Sequence, residues 1–311
     1  MEKIAILFNP SSNRGKSLKK LKNLKNLFEK ENIKFELFLS KNVEDFKNLS
    51  LKLANNFEIL SIAGGDSSYT IAIDHILKNK KEVLPIFSFI PTGSSNDIPR
   101  EFNTLNLKDA AKSLKRINYK EMDVGYIIQD NKIINHFLGQ VNIGIGVEVN
   151  MEVEKMKKSK FPLKSQYLMG FSSIVKTYKR AKGAKRLNIK NNNGLNLTGN
   201  FLISLFSNIK YWATGKKVLP SAKTDDGVLD LMIINDIGFF KLLKLYSKVI
   251  REKHLNDNNV IIDKNKSFEI EGKEPFSIQC DGEILFNNNS PHFQKIRIGV
   301  LNKKIKVLVN I

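Results

Sequence analysis

The chain has 311 residues, a hydrophobic share of 41% and a formal net charge of +20. That is enough apolar material for one large core or two medium ones and excludes a disordered chain, and no apolar run approaches the roughly 18 residues that span a bilayer. The single cysteine, Cys280, excludes an internal disulfide and an all-cysteine zinc site.

The start, Met1-Glu2-Lys3-Ile4, leads into a short apolar run that reads as a first strand rather than a signal peptide, so a cytoplasmic protein is expected. Over the first ~120 residues strand and helix patterns alternate, the signature of a parallel sheet with crossover helices. Strands are predicted at Lys3–Phe8, Lys34–Leu39, Glu58–Ala63 and Leu84–Ile90. Apolar residues at helical spacing predict helices over Leu18–Glu31, Val43–Asn55 and Tyr69–Lys78. After about Asp123 short strand-like runs take over (Tyr126–Gln129, Lys132–Phe137, Asn200–Ser207 and Leu229–Ile234). Asn193-Gly194, Asp226-Gly227 and Asp281-Gly282 supply turn signals between several of them. This is a mostly antiparallel β domain, interrupted by one helix over Ser165–Lys182. The terminal strands Lys295–Val300 and Lys304–Val309 fit either domain.

Two polar loops carry the chemistry. Gly64-Gly65-Asp66-Ser67-Ser68 follows the apolar run Ile59–Ala63, and Pro91-Thr92-Gly93-Ser94-Ser95-Asn96-Asp97 follows Leu84–Ile90. Loops leaving the ends of buried strands are where α/β proteins place ligands. Paired glycines let backbone N–H groups approach a phosphate, the hydroxyls add donors, and an adjacent acid suits Mg²⁺, which takes oxygen ligands. The pair of loops reads as a nucleotide-phosphate site. Each piece also has a plainer reading: Asp-Gly pairs make hairpin turns, and Asn96-Asp97 can cap a helix. Arg14-Gly15-Lys16-Ser17 is not a P-loop, because Pro10 stands where the leading glycine belongs. His75, His136, His254 and His292 lack metal-ligand spacing.

Between Lys155 and Lys190 stand twelve Lys or Arg and no Asp or Glu. Such a run is either a solvated face or a patch for an anionic membrane. No helix-turn-helix, RNP or zinc pattern accompanies it, so nucleic acid is not an expected partner.

Taken in order, five elements resemble the diacylglycerol kinase catalytic-domain family, the soluble bacterial lipid kinases related to sphingosine and ceramide kinases. These are Asn9-Pro10-Ser11 with Gly15-Lys16, the Gly64–Ser68 loop, Pro91–Arg100, Pro220-Ser221-Ala222 before Asp225–Asp230, and Asp281-Gly282-Glu283. The resemblance covers nearly the whole chain. It implies a Rossmann-like (NAD-kinase-like) α/β domain over residues 1–124, a β-sandwich acceptor domain over 125–294 with terminal strands over 295–311, and an active site in the cleft between them. It further implies ATP as co-substrate, Mg²⁺ as cofactor and a lipid acceptor, diacylglycerol or a relative. Carried over by position, Ser40, Gly64, Gly65, Asp66, Ser67, Ser68, Tyr69, Thr70, Ser94, Asn96 and Asp97 would line the nucleotide. Asp66 would help organise catalytic Mg²⁺. Glu283, with Asp281 beside it, would act as general base on the lipid hydroxyl. A second, structural Mg²⁺ would sit at Lys223, Asp226 and Val228.

The chain departs from the family pattern at Ser67, which replaces a third glycine, at Thr70-Ile71, which replaces the usual Asn-Glu, and at Gly146, where many relatives carry Asp. A glycine position needing positive φ would make Ser67 cost about 1–2 kcal/mol. Two other readings stand beside the kinase: a non-catalytic nucleotide- or lipid-binding relative, and NAD kinase, which shares the Gly-Gly-Asp loop. Peripheral contact with the inner face of the membrane and a homodimer through an exposed strand edge complete the expected partners.

Overall fold

The structure, a computed structural model, describes residues 3–79, 83–149, 184–285 and 292–311, together with Glu152, Ser172, Val175, Thr177 and Tyr178. The first half alternates as its sequence predicts through β1 (Ile4–Phe8), α1 (Leu18–Lys30), β2 (Glu36–Leu39), α2 (Val43–Asn56), β3 (Ile59–Gly64), α3 (Asp66–Asn79) and β4 (Ile86–Pro91), and is followed by a short helix α4 (Asp97–Glu101) and by α5 (Leu107–Arg116), a helix the sequence reading did not include. Strands β2, β1, β3 and β4 lie side by side and parallel, in that order. Every residue of β1 and β3 is buried, as expected for strands covered on both faces. Leu24 and Phe28 anchor α1 on one face of the sheet, each side chain contributing roughly 1.5–3 kcal/mol on burial. Asn42 caps α2 by accepting the Asp45 N–H at 2.8 Å.

The second half is antiparallel. It comprises β5 (Tyr119–Gln129), β6 (Lys132–Phe137), β7 (Gln140–Gly144), β8 (Lys185–Lys190), β9 (Asn196–Ser207), β10 (Tyr211–Trp212), β11 (Lys216–Lys217), β12 (Leu229–Asn235), α6 (Phe239–Ile250), β13 (Val260–Asn265), β14 (Ser267–Phe276), β15 (Ile278–Cys280), β16 (Glu283–Ile284) and β17 (Phe293–Leu308). Strand β9 is its hub, pairing with β7, β8 and β12. Its core is a separate apolar cluster around Phe137, Phe206, Phe268 and Phe276.

Several elements differ from the sequence-based expectation. Helix α3 begins at Asp66 rather than Tyr69, so Asp66, Ser67 and Ser68 form a helical first turn. Ser67 therefore has no positive φ, and the strain expected there is absent. The two terminal strands are one, β17. It pairs antiparallel with β14 and β5 and parallel with β4, with a register shift between Leu301 and Ile305. Helix α6, like α5, stands where no helix was expected. The helix expected over Ser165–Lys182 and most of the basic run from Lys155 lie outside the described residues.

Candidate active site

The two glycine loops form one block. Helix α3 starts two residues after β3, and the N–H groups of Thr92 and Gly93 both donate to the Gly64 carbonyl, at 2.9 and 2.8 Å. A Cβ on Gly93 would stand 2.4 Å from the Gly65 Cα, so the loops touch backbone to backbone and glycine is required by that approach. Tyr69 is 0% exposed, and its hydroxyl donates to the carbonyls of Gly64 and Ile90, both at 3.0 Å. Its side chain thus braces the loops from the core and does not face a ligand. Ser68 is buried and accepts from the Asn9 amide at 3.0 Å.

Three carboxylates converge beside this block. Asp66 accepts the N–H groups of Asp97 and Ile98, at 3.1 and 3.0 Å, and so caps α4 in place of Asn96, whose side chain makes no cap bond. Burial and the neighbouring charge of Asp97 push the Asp66 carboxyl up to about 7. Asp97 in turn accepts from the N–H groups of Thr214 and Gly215, at 3.1 and 2.6 Å, and so holds the β10–β11 turn of the second half. Asp281, in left-handed backbone at φ 43°, accepts the N–H groups of Leu138, Gly139 and Gln140 and the Thr70 hydroxyl, the last at 2.6 Å. Burial raises the Asp281 carboxyl despite these donors. Its oxygens are therefore committed to joining α3 to the β6–β7 connection, and Thr70 spends its hydroxyl there too.

Asp66, Ser94, Asp97 and Asp281 form one end of a cavity of about 280 Å³. The other end runs into the second half between the sheet and α6, where Leu242, Leu245 and Val249 wall it opposite Ile203 and Ile234. Sequence alone did not single out its middle, lined by Gln140, Asn142 and Gln279. The remaining expected residues lie apart from the cavity. Ser40 is buried directly after β2, its N–H donating to the Phe8 carbonyl at 3.1 Å. Glu283 is exposed on β16, next to Gly282, which does line the cavity. Lys223, Asp226 and Val228 share a turn in which Asp226 accepts the Val228 N–H at 3.3 Å. Beneath it the Asp123 carboxylate accepts the N–H groups of Gly227 and Lys303, both at 2.6 Å. Asp123 is raised by burial and by the charges of Asp226 and Asp225. Among the described residues no group of three or more His, Cys, Asp or Glu side chains could by itself hold a metal.

A Gly-Gly-Asp loop at the end of a parallel sheet, closed by a β-sandwich that carries an apolar chamber, defines a two-domain protein of NAD-kinase-like build. Residues 3–127 match the diacylglycerol kinase catalytic domain, and residues 139–302 match the YegS C-terminal NAD kinase beta sandwich-like domain. The chain thus belongs to the diacylglycerol kinase family, a family of lipid kinases. It is 22% identical to the diacylglycerol kinase of Bacillus subtilis, over 91% of this chain and 90% of that one. To the diacylglycerol kinase of Staphylococcus carnosus it is also 22% identical, over 89% and 87%. A crystal structure of a diacylglycerol kinase from Bacillus anthracis shares the fold, with a TM-score of 0.72 at 19% identity over 99% and 97% of the two chains.

Proposed function

We propose that the protein transfers the γ-phosphoryl group of ATP to the hydroxyl of a neutral lipid, with diacylglycerol as the acceptor that the names of its curated relatives favour. The observation that carries this reading is a single cavity with carboxylates and loop donors at one end and aliphatic side chains at the other. Phosphoryl transfer depends mainly on positioning and charge neutralisation, so the two ends divide the work. The backbone of Gly64–Thr70 and Ser94 would cradle the phosphates, with Asn96 and Asp97 shaping the second loop. Glu283 would accept the proton of the lipid hydroxyl.

The crowding at Asp66 fits a divalent cation: a buried carboxyl that resists ionisation beside Asp97 gains by binding one. Asp66 would hold Mg²⁺, which neutralises phosphate charge when bound. The acids Asp123, Asp225 and Asp226 likewise crowd one turn, where the Asp226 carboxylate and the carbonyls of Lys223 and Val228 would hold a second Mg²⁺. The test combines purified protein, Mg²⁺, labelled ATP and mixed micelles of diacylglycerol, with Glu283→Ala beside it. Labelled phosphatidic acid that vanishes in the variant supports the reading. ATP binding without labelled lipid would replace it with the non-catalytic relative, and labelled NADP in a parallel assay with NAD as acceptor would replace it with NAD kinase.

Peripheral contact with an anionic membrane belongs to the same proposal, at the inner face of the cytoplasmic membrane. Helix α6, whose inner side walls the cavity, presents Phe240 outward at 84% exposure, and Lys241, Lys244 and Arg251 are exposed along it. An exposed aromatic among cations suits an anionic interface, each cation contributing about 1 kcal/mol. Phe240→Asp should cut binding to phosphatidylglycerol vesicles about tenfold in a sedimentation assay while activity on micelles persists. Equal binding to purely zwitterionic vesicles would remove the electrostatic part. For a homodimer, the exposed Leu39 on the edge strand β2 offers the surface, and a Leu39→Lys monomer in sedimentation velocity is the expected result.

A further inference from the structure

Asn142 lies on β7 at 1% exposure, lines the cavity, and has no hydrogen-bond partner for either its amide nitrogen or its oxygen. A buried amide with both ends unpaired is rare and calls for a reason. Gly146 makes the arrangement feasible, because a Cβ there would fall 2.2 Å from the Asn142 nitrogen, so a side chain at that position would evict the amide.

The strand register arranges Asn142 within a gradient. Residues paired across the sheet form three successive rows on the cavity side. The first is Gln140, Ser207 and Asp230, the second Gln279, Asn142, Leu205 and Met232, and the third Gly144, Ile203 and Ile234. Polarity falls row by row with distance from Asp281, which Gln140 binds through its backbone N–H. Asn142 therefore sits where a bound lipid would change from polar to aliphatic. Gln140, two residues away on the same face, also leaves its side-chain oxygen unpaired.

We propose that Asn142 is the residue that selects the acceptor, by donating to an acyl carbonyl and accepting from a neighbouring hydroxyl or amide hydrogen. Resting on the lipid-kinase reading, this narrows the acceptor to uncharged acylated lipids, esters or amides, and disfavours a long-chain amine. An ammonium group at this row meets the neutral amides of Asn142 and Gln279, while Asp281 is filled by Thr70 and three backbone N–H groups and Asp230 in the first row is paired with Lys264 and Ser221. A buried unpaired cation is far costlier than a buried carbonyl that gains a donor.

Trp212, the only tryptophan, lines the same cavity, so its fluorescence reports occupancy without turnover. Wild type, Asn142→Leu and Asn142→Asp would be titrated with dioctanoylglycerol, a short-chain ceramide and sphingosine, in the absence of ATP and then in the kinase assay. The expected result is a Kd and KM for dioctanoylglycerol about tenfold higher in Asn142→Leu, with kcat and the KM for ATP within twofold of wild type. Asn142→Asp should shift preference toward sphingosine. The ester and amide arms reveal which acyl linkage is preferred. Unchanged lipid affinity in a folded Asn142→Leu, or tighter wild-type binding of sphingosine than of both acyl lipids, would overturn the proposal. The wild-type titrations decide it even where a variant fails to fold. Fluorescence changes without phosphorylated lipid would refute the kinase reading while leaving the selection by Asn142 standing.

Discussion

The two ends of the cavity are built on opposite terms. At the loop end every carboxylate is engaged before any ligand arrives: Asp66 by α4, Asp97 by the β10–β11 turn, Asp281 by the β6–β7 connection. In the chamber, Asn142 and Gln140 keep hydrogen-bonding capacity in reserve, and aliphatic side chains such as Ile203, Ile234, Leu242 and Leu245 supply much of the remaining wall. A charged triphosphate gains from donors fixed in advance, whereas an acyl lipid needs a shape and one or two readers. On the proposed function, the contrast would assign stability to the loop end and selectivity to the chamber.

Substitutions can break that division. The largest effect is expected from Gly93→Ala, whose methyl group would meet the Gly65 Cα at 2.4 Å and the Asn96 side-chain oxygen at 2.9 Å. Forcing the two loops apart should cost about 3 kcal/mol and abolish ATP binding, as read by denaturant unfolding and by calorimetry with ATP. Next comes Asp281→Asn, which keeps the shape but removes the charge that four donors share. A loss of about 2 kcal/mol is expected, together with weaker protection from hydrogen exchange at Leu138–Gln140. A further effect should follow pH. With its folded pKa raised to about 7 against roughly 4 in the unfolded chain, Asp66 holds a proton in the native state that the unfolded state releases. Stability from this group is full at low pH and falls as pH climbs from about 4 through 7. The apo protein should therefore lose a few degrees of Tm between pH 5 and 8, and Asp66→Asn should flatten the slope. On the proposed function, in which Asp66 holds Mg²⁺, affinity for the metal would move the other way, rising as pH passes about 7, because the metal competes with that proton.

The loop end was largely legible in the sequence, since glycines, acids and hydroxyls that act together are also adjacent in the chain. What the sequence concealed was how each one acts. Tyr69 reads as part of a phosphate loop but points into the core, and Asp281 reads as a partner of Glu283 but clasps a turn some 140 residues earlier. The chamber was illegible for a different reason. Gln279 and Asn142 become neighbours only through the register of β15 against β7, and polar residues in strands look like any solvent-facing position until that register is known. Helix α6 did leave a trace, with Leu242, Leu245 and Val249 at helical spacing, but it was masked by the surrounding strand patterns. Asp123 left none, being an isolated acid whose partners Gly227 and Lys303 come from distant turns.

Strand β17 has a consequence for how such a molecule can be taken apart. Sixteen residues long, it stitches β14 of the sandwich to β4 of the parallel sheet. A fragment ending near residue 124 would carry both glycine loops yet lack the neighbour that covers β4, leaving a bare apolar strand prone to intermolecular pairing. The two halves, recognisable as separate modules by their matches, share a common rib, and expressing one without the other should yield aggregates rather than a miniature nucleotide binder.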